Sequence, residues 1–273
     1  MDYFKYEFQN DNQHTQMLIA LLAQQSFEAF QETETGFDAF VPVPKDSEAI
    51  EQSILDLKKR FDFSHKKIRM EYQNWNAIWE SNFQPIEVGD FCGIRATFHA
   101  PLSGVQHEII INPQMAFGTG HHETTWMMID AMKNLDIEGK TVFDYGCGTG
   151  ILAVLAAQMG AKEIDALDIE LPSFENTLEN ARINGIENIE AIHGTLQKTK
   201  DKTYDLILAN INRHVILESL PTLHKMLSKG GVLLISGILK SDEQLINDAV
   251  KASGFHLEST AQRNSWLCKQ LNN

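Results

Sequence analysis

Residues 142–157 read VFDYGCGTGILAVLAA. A short apolar run stops at Asp144, turns through Gly146, Gly148 and Gly150, and continues into an uninterrupted apolar stretch. Such a run reads as a buried strand, a tight turn and a buried helix, which is the opening unit of a parallel α/β sheet. Glycines in that turn let a ligand approach the backbone at the carboxyl end of the strand, where doubly wound sheets bind their ligands. A nucleotide-like cofactor is therefore expected. The dinucleotide fingerprint would require glycine at 151, which is Ile151, and no phosphate-cradling G-K-[ST] is present.

Moving outward, Asp168 stands 22 residues beyond Gly146 and ends the strand-like run EIDALDI. A carboxylate there can accept hydrogen bonds from both ribose hydroxyls of an adenosine. Cys147 reads as a small loop residue, because no basic partner lies nearby to activate its thiol. Strand-like runs at 141–146, 163–169, 189–194, 204–211 and 230–238 alternate with helical segments, as in a parallel sheet. The tail, 254–271, reads instead as two extended runs broken at Arg263-Asn264, an antiparallel hairpin at one edge.

Residues 1–73 have a different rhythm. Phe4, Tyr6 and Phe8 alternate on a strand, Met17, Leu18, Leu21 and Leu22 follow at helical spacing, and two short strands flank Gly36. A second helix carries Ile50, Ile54, Leu57 and Phe61, capped at Asp46 or Ser47, and a last strand alternates Ile68, Met70 and Tyr72. The order β-α-β-β-α-β is that of a ferredoxin-like α+β domain. Residues 74–110 read as a linker, with Trp75 and Trp79 on a short helix ending before Pro85 and connecting strands after it; residues 111–273 form the α/β domain.

The chain has 273 residues, 43% hydrophobic and 22% charged, enough for two modest domains. Its first residues lack a basic and apolar leader, and no apolar run approaches a membrane span, so a cytoplasmic protein is expected. Cys92, Cys147 and Cys268 are isolated, which indicates neither a disulfide framework nor a zinc knuckle. A net charge of −14 opposes contact with a nucleic-acid backbone and favours cationic partners.

The stretch AFGTGHHETT, 116–125, brings two glycines, tandem histidines and three threonines between a strand and a helix. His121, His122 and Glu123 form one cluster without a second, so they do not complete a tetrahedral metal site, and no metal is expected.

VFDYGCGTG with LDIE (167–170) resembles the first two motifs of the Rossmann-like methyltransferases that use S-adenosylmethionine. More narrowly, AFGTGHHETT, VFDYGCGTGILA, LANI (208–211) and LISGIL (234–239), behind the N-terminal domain and Trp-containing linker, resemble the PrmA family of ribosomal-protein methyltransferases. That resemblance implies methyl transfer to lysine and N-terminal amines of a free ribosomal protein, large-subunit protein eleven, with the N-terminal domain recognising it. It places cofactor contacts on Thr125, Gly146, Asp168 and Asn210, with Asp144 and Gly148 of the glycine motif added, and makes 116–125 a lid hinged at Gly118 and Gly120. Two positions depart from the family. Thr195 stands where many relatives carry an acid for the adenine amino group, and IELPSF (169–174) replaces the usual acidic-proline run.

NINR (210–213) occupies the place of the Asn/Asp-Pro-Pro-aromatic run found where planar nitrogens are methylated. Without it, Asn210 is expected to position an aliphatic amine through its side-chain oxygen. A nucleic-acid or small-molecule methyltransferase would share the cofactor motif but favour a basic surface or lack the N-terminal module. A catalytically silent binding module would keep the fold and lose cofactor affinity.

Overall fold

The computed structural model describes residues 2–10, 14–70, 83–112, 120–199 and 201–273. The chain divides into two units, Met1–Asn82 and Phe83–Asn273. The expected Trp75/Trp79 helix, with Tyr72, Gly118 and Thr119, lies outside the described residues.

In the first unit the aromatic alternation produces β1 (Tyr3–Asn10), followed by α1 (Thr15–Leu22), β2 (Ala29–Thr33), β3 (Gly36–Pro42), α2 (Glu48–Lys58) and β4 (Phe63–Met70). All strand pairs are antiparallel, in the order β2-β3-β1-β4. Tyr6, Phe8, Phe37 and Val41 of the sheet pack with Leu18, Leu22, Ile50, Ile54 and Leu57 of the helices. Helix α1 buries Thr15, Leu18 and Leu22, whereas Met17, on the far side of that turn, is 53% exposed. Strand β4 pairs Lys67 with Tyr6 and His65 with Phe8, so Ile68 and Met70 take the opposite face. Lys67 is accommodated on the core side because its ammonium lies 4.5 Å from the centre of the Phe4 ring and reaches Asp46 at 2.6 Å.

The second unit begins with a three-stranded sheet, β5 (Ile86–Val88), β6 (Cys92–Ala96) and β7 (His107–Ile111), in which β6 and β7 run parallel. These strands, read from sequence as connecting pieces, pack into the same core as the α/β part. That part continues with α3 (Glu123–Met132), β8 (Thr141–Tyr145), α4 (Ile151–Gln158), β9 (Glu163–Asp168), α5 (Leu171–Ile183) and β10 (Ile189–His193). It ends with β11 (Tyr204–Asn210), α6 (Arg213–Met226), β12 (Leu227–Leu239), α7 (Glu243–Ala252), β13 (His256–Arg263) and β14 (Trp266–Asn272).

The large sheet has the order β10-β9-β8-β11-β12-β14-β13. Strands β8 to β12 are parallel, while β14 runs antiparallel to both β12 and β13. Both faces of the central strands are covered, which is why β8 and β11 carry apolar runs: Val142 and Leu208 meet α3 and α4, and Phe143, Ile207 and Ala209 meet α6 and α7. The strand order reverses between β8 and β11, and the crevice at their carboxyl ends is the place where such sheets receive ligands.

In the small sheet, Arg95 is 8% exposed and grips both oxygens of Glu108 at 2.9 and 3.1 Å. The guanidinium, aided by the Leu102 amide, holds the Glu108 carboxyl below its ordinary pKa against the opposing effect of burial. Because the folded-state value is depressed, this stabilisation is present above the unfolded pKa, about 4.3, and is lost as pH falls through the folded value. Glu108→Gln should therefore flatten the acid limb of stability and cost about 1–3 kcal/mol at neutral pH, by urea unfolding between about pH 3 and 7. An unchanged acid limb would contradict it.

Candidate active site

The site is built where β8 gives way to α4. Gly146, Gly148 and Gly150 have φ of 75°, 56° and 75°, the left-handed region that a side chain disfavours. Space reinforces the requirement, since a Cβ on Gly146 would collide with the Ile211 side chain and one on Gly150 would lie 2.9 Å from Thr177. The turn is fastened to the neighbouring strand by the Gly146 and Cys147 amides, which donate to Leu167 O at 2.7 and 3.1 Å.

Asp168 ends β9 and is 9% exposed. Its Oδ2 accepts from the Gly148 amide at 2.9 Å and its Oδ1 from the Glu170 amide at 2.9 Å. Each oxygen keeps a second lone pair, so the carboxylate is fixed in orientation and can still accept two further hydrogen bonds. A cleft of about 540 Å³ opens beside it, walled by Tyr145, Gly146, Gly148, Asp168, Ile169, Thr195, Leu196, Asn210, Ile211, His122 and Trp266, among others.

Asn210 ends β11 on the other side of the crevice. Its Nδ2 donates to Thr125 Oγ1 at 3.1 Å, while its buried Oδ1 has no hydrogen-bond partner among the described residues. An unpaired buried carbonyl oxygen costs about 1–3 kcal/mol, which a donor on a ligand would recover.

Four of the six expected site residues, Gly146, Gly148, Asp168 and Asn210, share the cleft wall. The other two stand behind it. Thr125 is 1% exposed and touches the site through Asn210. Asp144, also 1% exposed, accepts from the Ala153 amide at 3.2 Å and caps α4, whose own N-cap, Gly150, has no side chain to do so. Cys147 is buried against the Thr177 hydroxyl, and burial pushes its thiol well up, away from a nucleophilic thiolate.

His122 and Trp266 were not legible as site residues. His122 caps α3, with its Nδ1 2.8 Å from Thr124 Oγ1, and its ring meets Trp266 edge-on at 4.7 Å. The hairpin turn brings Trp266 there from the far end of the chain; Asn264 of that turn donates to Glu123 at 2.8 Å and Arg263 lies over Trp126. No local pattern in the sequence signals that meeting.

The cleft volume lies in the range of small-molecule sites, about 300–1,000 Å³. An oriented carboxylate, a turn that presents Gly146 and Gly148 to the cleft, apolar Ile169 and Leu196, and an Asn210 oxygen unpaired among the described residues fit a nucleoside diol at one end and an N–H donor at the other. On a doubly wound sheet with an antiparallel strand beside β12, this is the arrangement of an S-adenosylmethionine-dependent methyltransferase.

A family model described as ribosomal protein L11 methyltransferase (PrmA) matches residues 6–273, and the chain belongs to that family. The ribosomal protein L11 methyltransferase of Porphyromonas gingivalis is 40% identical over 257 residues, covering 92% of this chain and 88% of the relative. That of Phocaeicola vulgatus is 38% identical over 256 residues, covering 92% and 90%. Among solved structures, a ribosomal protein L11 methylase from Lactobacillus delbrueckii subsp. bulgaricus superposes with a TM-score of 0.65 at 29% identity, covering 70% of this chain and 99% of its own.

Burial pushes the Asp144 carboxyl up to about 7, and the nearby Asp168 charge adds to the shift against the Ala153 hydrogen bond. A folded-state pKa raised above the unfolded value, about 3.9, means that stability falls as pH rises from about 4 to 7. Asp144→Asn keeps the cap oxygen and should abolish that decline, as read by urea unfolding across the same pH range. A wild-type chain equally stable at both ends of the range, once Glu108 is accounted for, would show Asp144 to be ionised throughout.

Proposed function

We propose that the chain transfers methyl groups from S-adenosylmethionine to amino groups of ribosomal protein L11, namely lysine side chains and the N-terminal amine. Family membership supports the substrate, and the observation that carries the chemistry is Asn210, a residue of the wall of the cleft that Asp168 shares, whose buried Oδ1 has no partner among the described residues. When bound, S-adenosylmethionine supplies a methyl group already activated on a sulfonium.

The residues then divide the work. Asp168 would hold the two ribose hydroxyls on its remaining lone pairs, Gly146 and Gly148 would let the cofactor approach the backbone, and Ile169, Leu196 and Thr195 would supply the surface for the adenine. Asn210 accepts an N–H from the incoming amine and aims the nitrogen lone pair along the line of displacement. Thr125 keeps the Asn210 carboxamide turned that way. Lysine is deprotonated only about once in 2,500 at pH 7, a penalty of about 4.6 kcal/mol from its reference pKa near 10.4. Entry into an apolar cleft lowers that pKa by removing water from the ammonium.

Residues 1–73, within the first unit, are proposed as a ferredoxin-like substrate-recognition domain. Its strand order and helix positions support the label, and it carries no glycine-rich nucleotide turn of its own. The antiparallel β13–β14 pair is read as the C-terminal hairpin of the methyltransferase sheet. A net charge of −14 suits capture of a basic ribosomal protein free in the cytoplasm better than one sheathed in RNA. No described helix is long and apolar enough to cross a membrane.

Asp168→Ala should weaken S-adenosylmethionine binding by about 1.5–3 kcal/mol, the range for hydrogen bonds to a charged group. Calorimetric titration reads this, and unchanged affinity would remove Asp168 from the site. With labelled cofactor and unmodified L11, mass spectrometry should find label on amines of L11. Residues 74–273, if folded, should bind cofactor and leave intact L11 largely unlabelled. Absence of label with the full chain would contradict the substrate, and full labelling by the fragment would contradict recognition by the first unit.

A further inference from the structure

Strand β7 is the edge of its sheet, and the backbone groups of every second residue face away from β6. Side-chain amides take the place of the missing strand. Gln158 donates to Glu108 O at 2.7 Å, and Asn184 both accepts from Ile110 N at 2.8 Å and donates to Ile110 O at 2.6 Å. Asn180 accepts from Asn112 N at 2.8 Å, and Asn176 donates to Asn112 O at 3.1 Å. Asn176, Asn180 and Asn184 recur every fourth residue along one face of α5 and its C-cap, so their spacing is that of a helix facing the strand edge.

The middle rung does more than close an edge. Asn180 also donates through Nδ2 to Thr149 O at 2.8 Å, and one turn away the Thr177 hydroxyl donates to Gly148 O at 3.0 Å. These are consecutive carbonyls of the glycine turn. Because each peptide is planar, holding its carbonyl from behind also sets the direction of its N–H, so two side chains fix the turn between Gly148 and Gly150. Both side chains are 0% exposed, and neither lines the cleft.

We infer that Thr177 and Asn180 are positioning residues for cofactor binding, holding the glycine turn in its binding shape from the side opposite the cleft. Asn180 also ties that shape to the end of β7. The inference rests on the cofactor reading above. Asn184 is the natural control, since it secures the same strand from the same helix and has no bond to the turn.

Calorimetric titration with S-adenosylhomocysteine tests this on the full-length chain. Thr177→Val keeps the shape and removes the hydroxyl, and should weaken binding about tenfold, the equivalent of one buried hydrogen bond. Thr177→Ser restores the hydroxyl and should bind within about twofold of wild type. Asn180→Ala should lose at least as much as Thr177→Val. Asn184→Ala should speed amide exchange at Ile110 while leaving affinity within about twofold. Wild-type affinity in folded Thr177→Val would overturn the inference, as would equal losses in Asn184→Ala and Asn180→Ala. The threonine pair decides the matter even where Asn180→Ala is too unstable to measure. Failure of the wild-type chain to bind would instead sink the cofactor reading.

Discussion

The hydrogen bond from the Gly148 amide to Asp168 Oδ2, at 2.9 Å, joins the ends of β8 and β9, and the site depends on it. A bond of this charge-assisted kind contributes about 1.5–3 kcal/mol, comparable with the cost of holding a backbone in an unusual turn. It fixes two things at once: the turn cannot swing away from the sheet, and the carboxylate cannot rotate its free lone pairs out of the cleft. Three positive-φ glycines make the turn tight enough to reach the acid, and their lack of side chains leaves room for Ile211 on one side and Thr177 on the other.

Around this bond the polar groups behind the cleft hold one another. Asp144 caps a helix whose N-cap is glycine, Asp168 serves two amides, Thr177 and Asn180 take the turn's carbonyls, and Thr125 takes the Asn210 amide. Asn210 Oδ1, by contrast, has no partner among the described residues, and it belongs to a residue of the cleft wall. A buried acceptor without a partner calls for a donor, which the proposed amine substrate would supply.

What the sequence revealed follows from which signals are local. Strands β8 to β12 and the glycine turn were legible because apolar runs bounded by glycine are decided within a few residues, and Asp168 because a strand end is. The faces of Met17, Ile68 and Met70 were not legible, because an apolar residue does not say which side its neighbours need; the β1–β4 register decides it for Ile68 and Met70. Strands 86–111 looked like connectors, yet their Ile94, Ile109 and Ile111 belong to the second unit's core. Trp266 and His122 lie far apart in the sequence and meet only where the β13–β14 turn packs against α3, and the asparagines of α5 show their use only where β7 supplies the edge they complete.

The central claim is that one cleft holds the cofactor by Asp168 and presents the acceptor amine to Asn210. A crystal structure of the chain with S-adenosylhomocysteine tests it most directly. The account predicts both ribose hydroxyls within hydrogen-bonding distance of Asp168, the adenine between Ile169 and Leu196, and the sulfur facing Asn210 across a gap wide enough for an amine. A ligand whose ribose lies away from Asp168, or whose sulfur points away from Asn210, would contradict it.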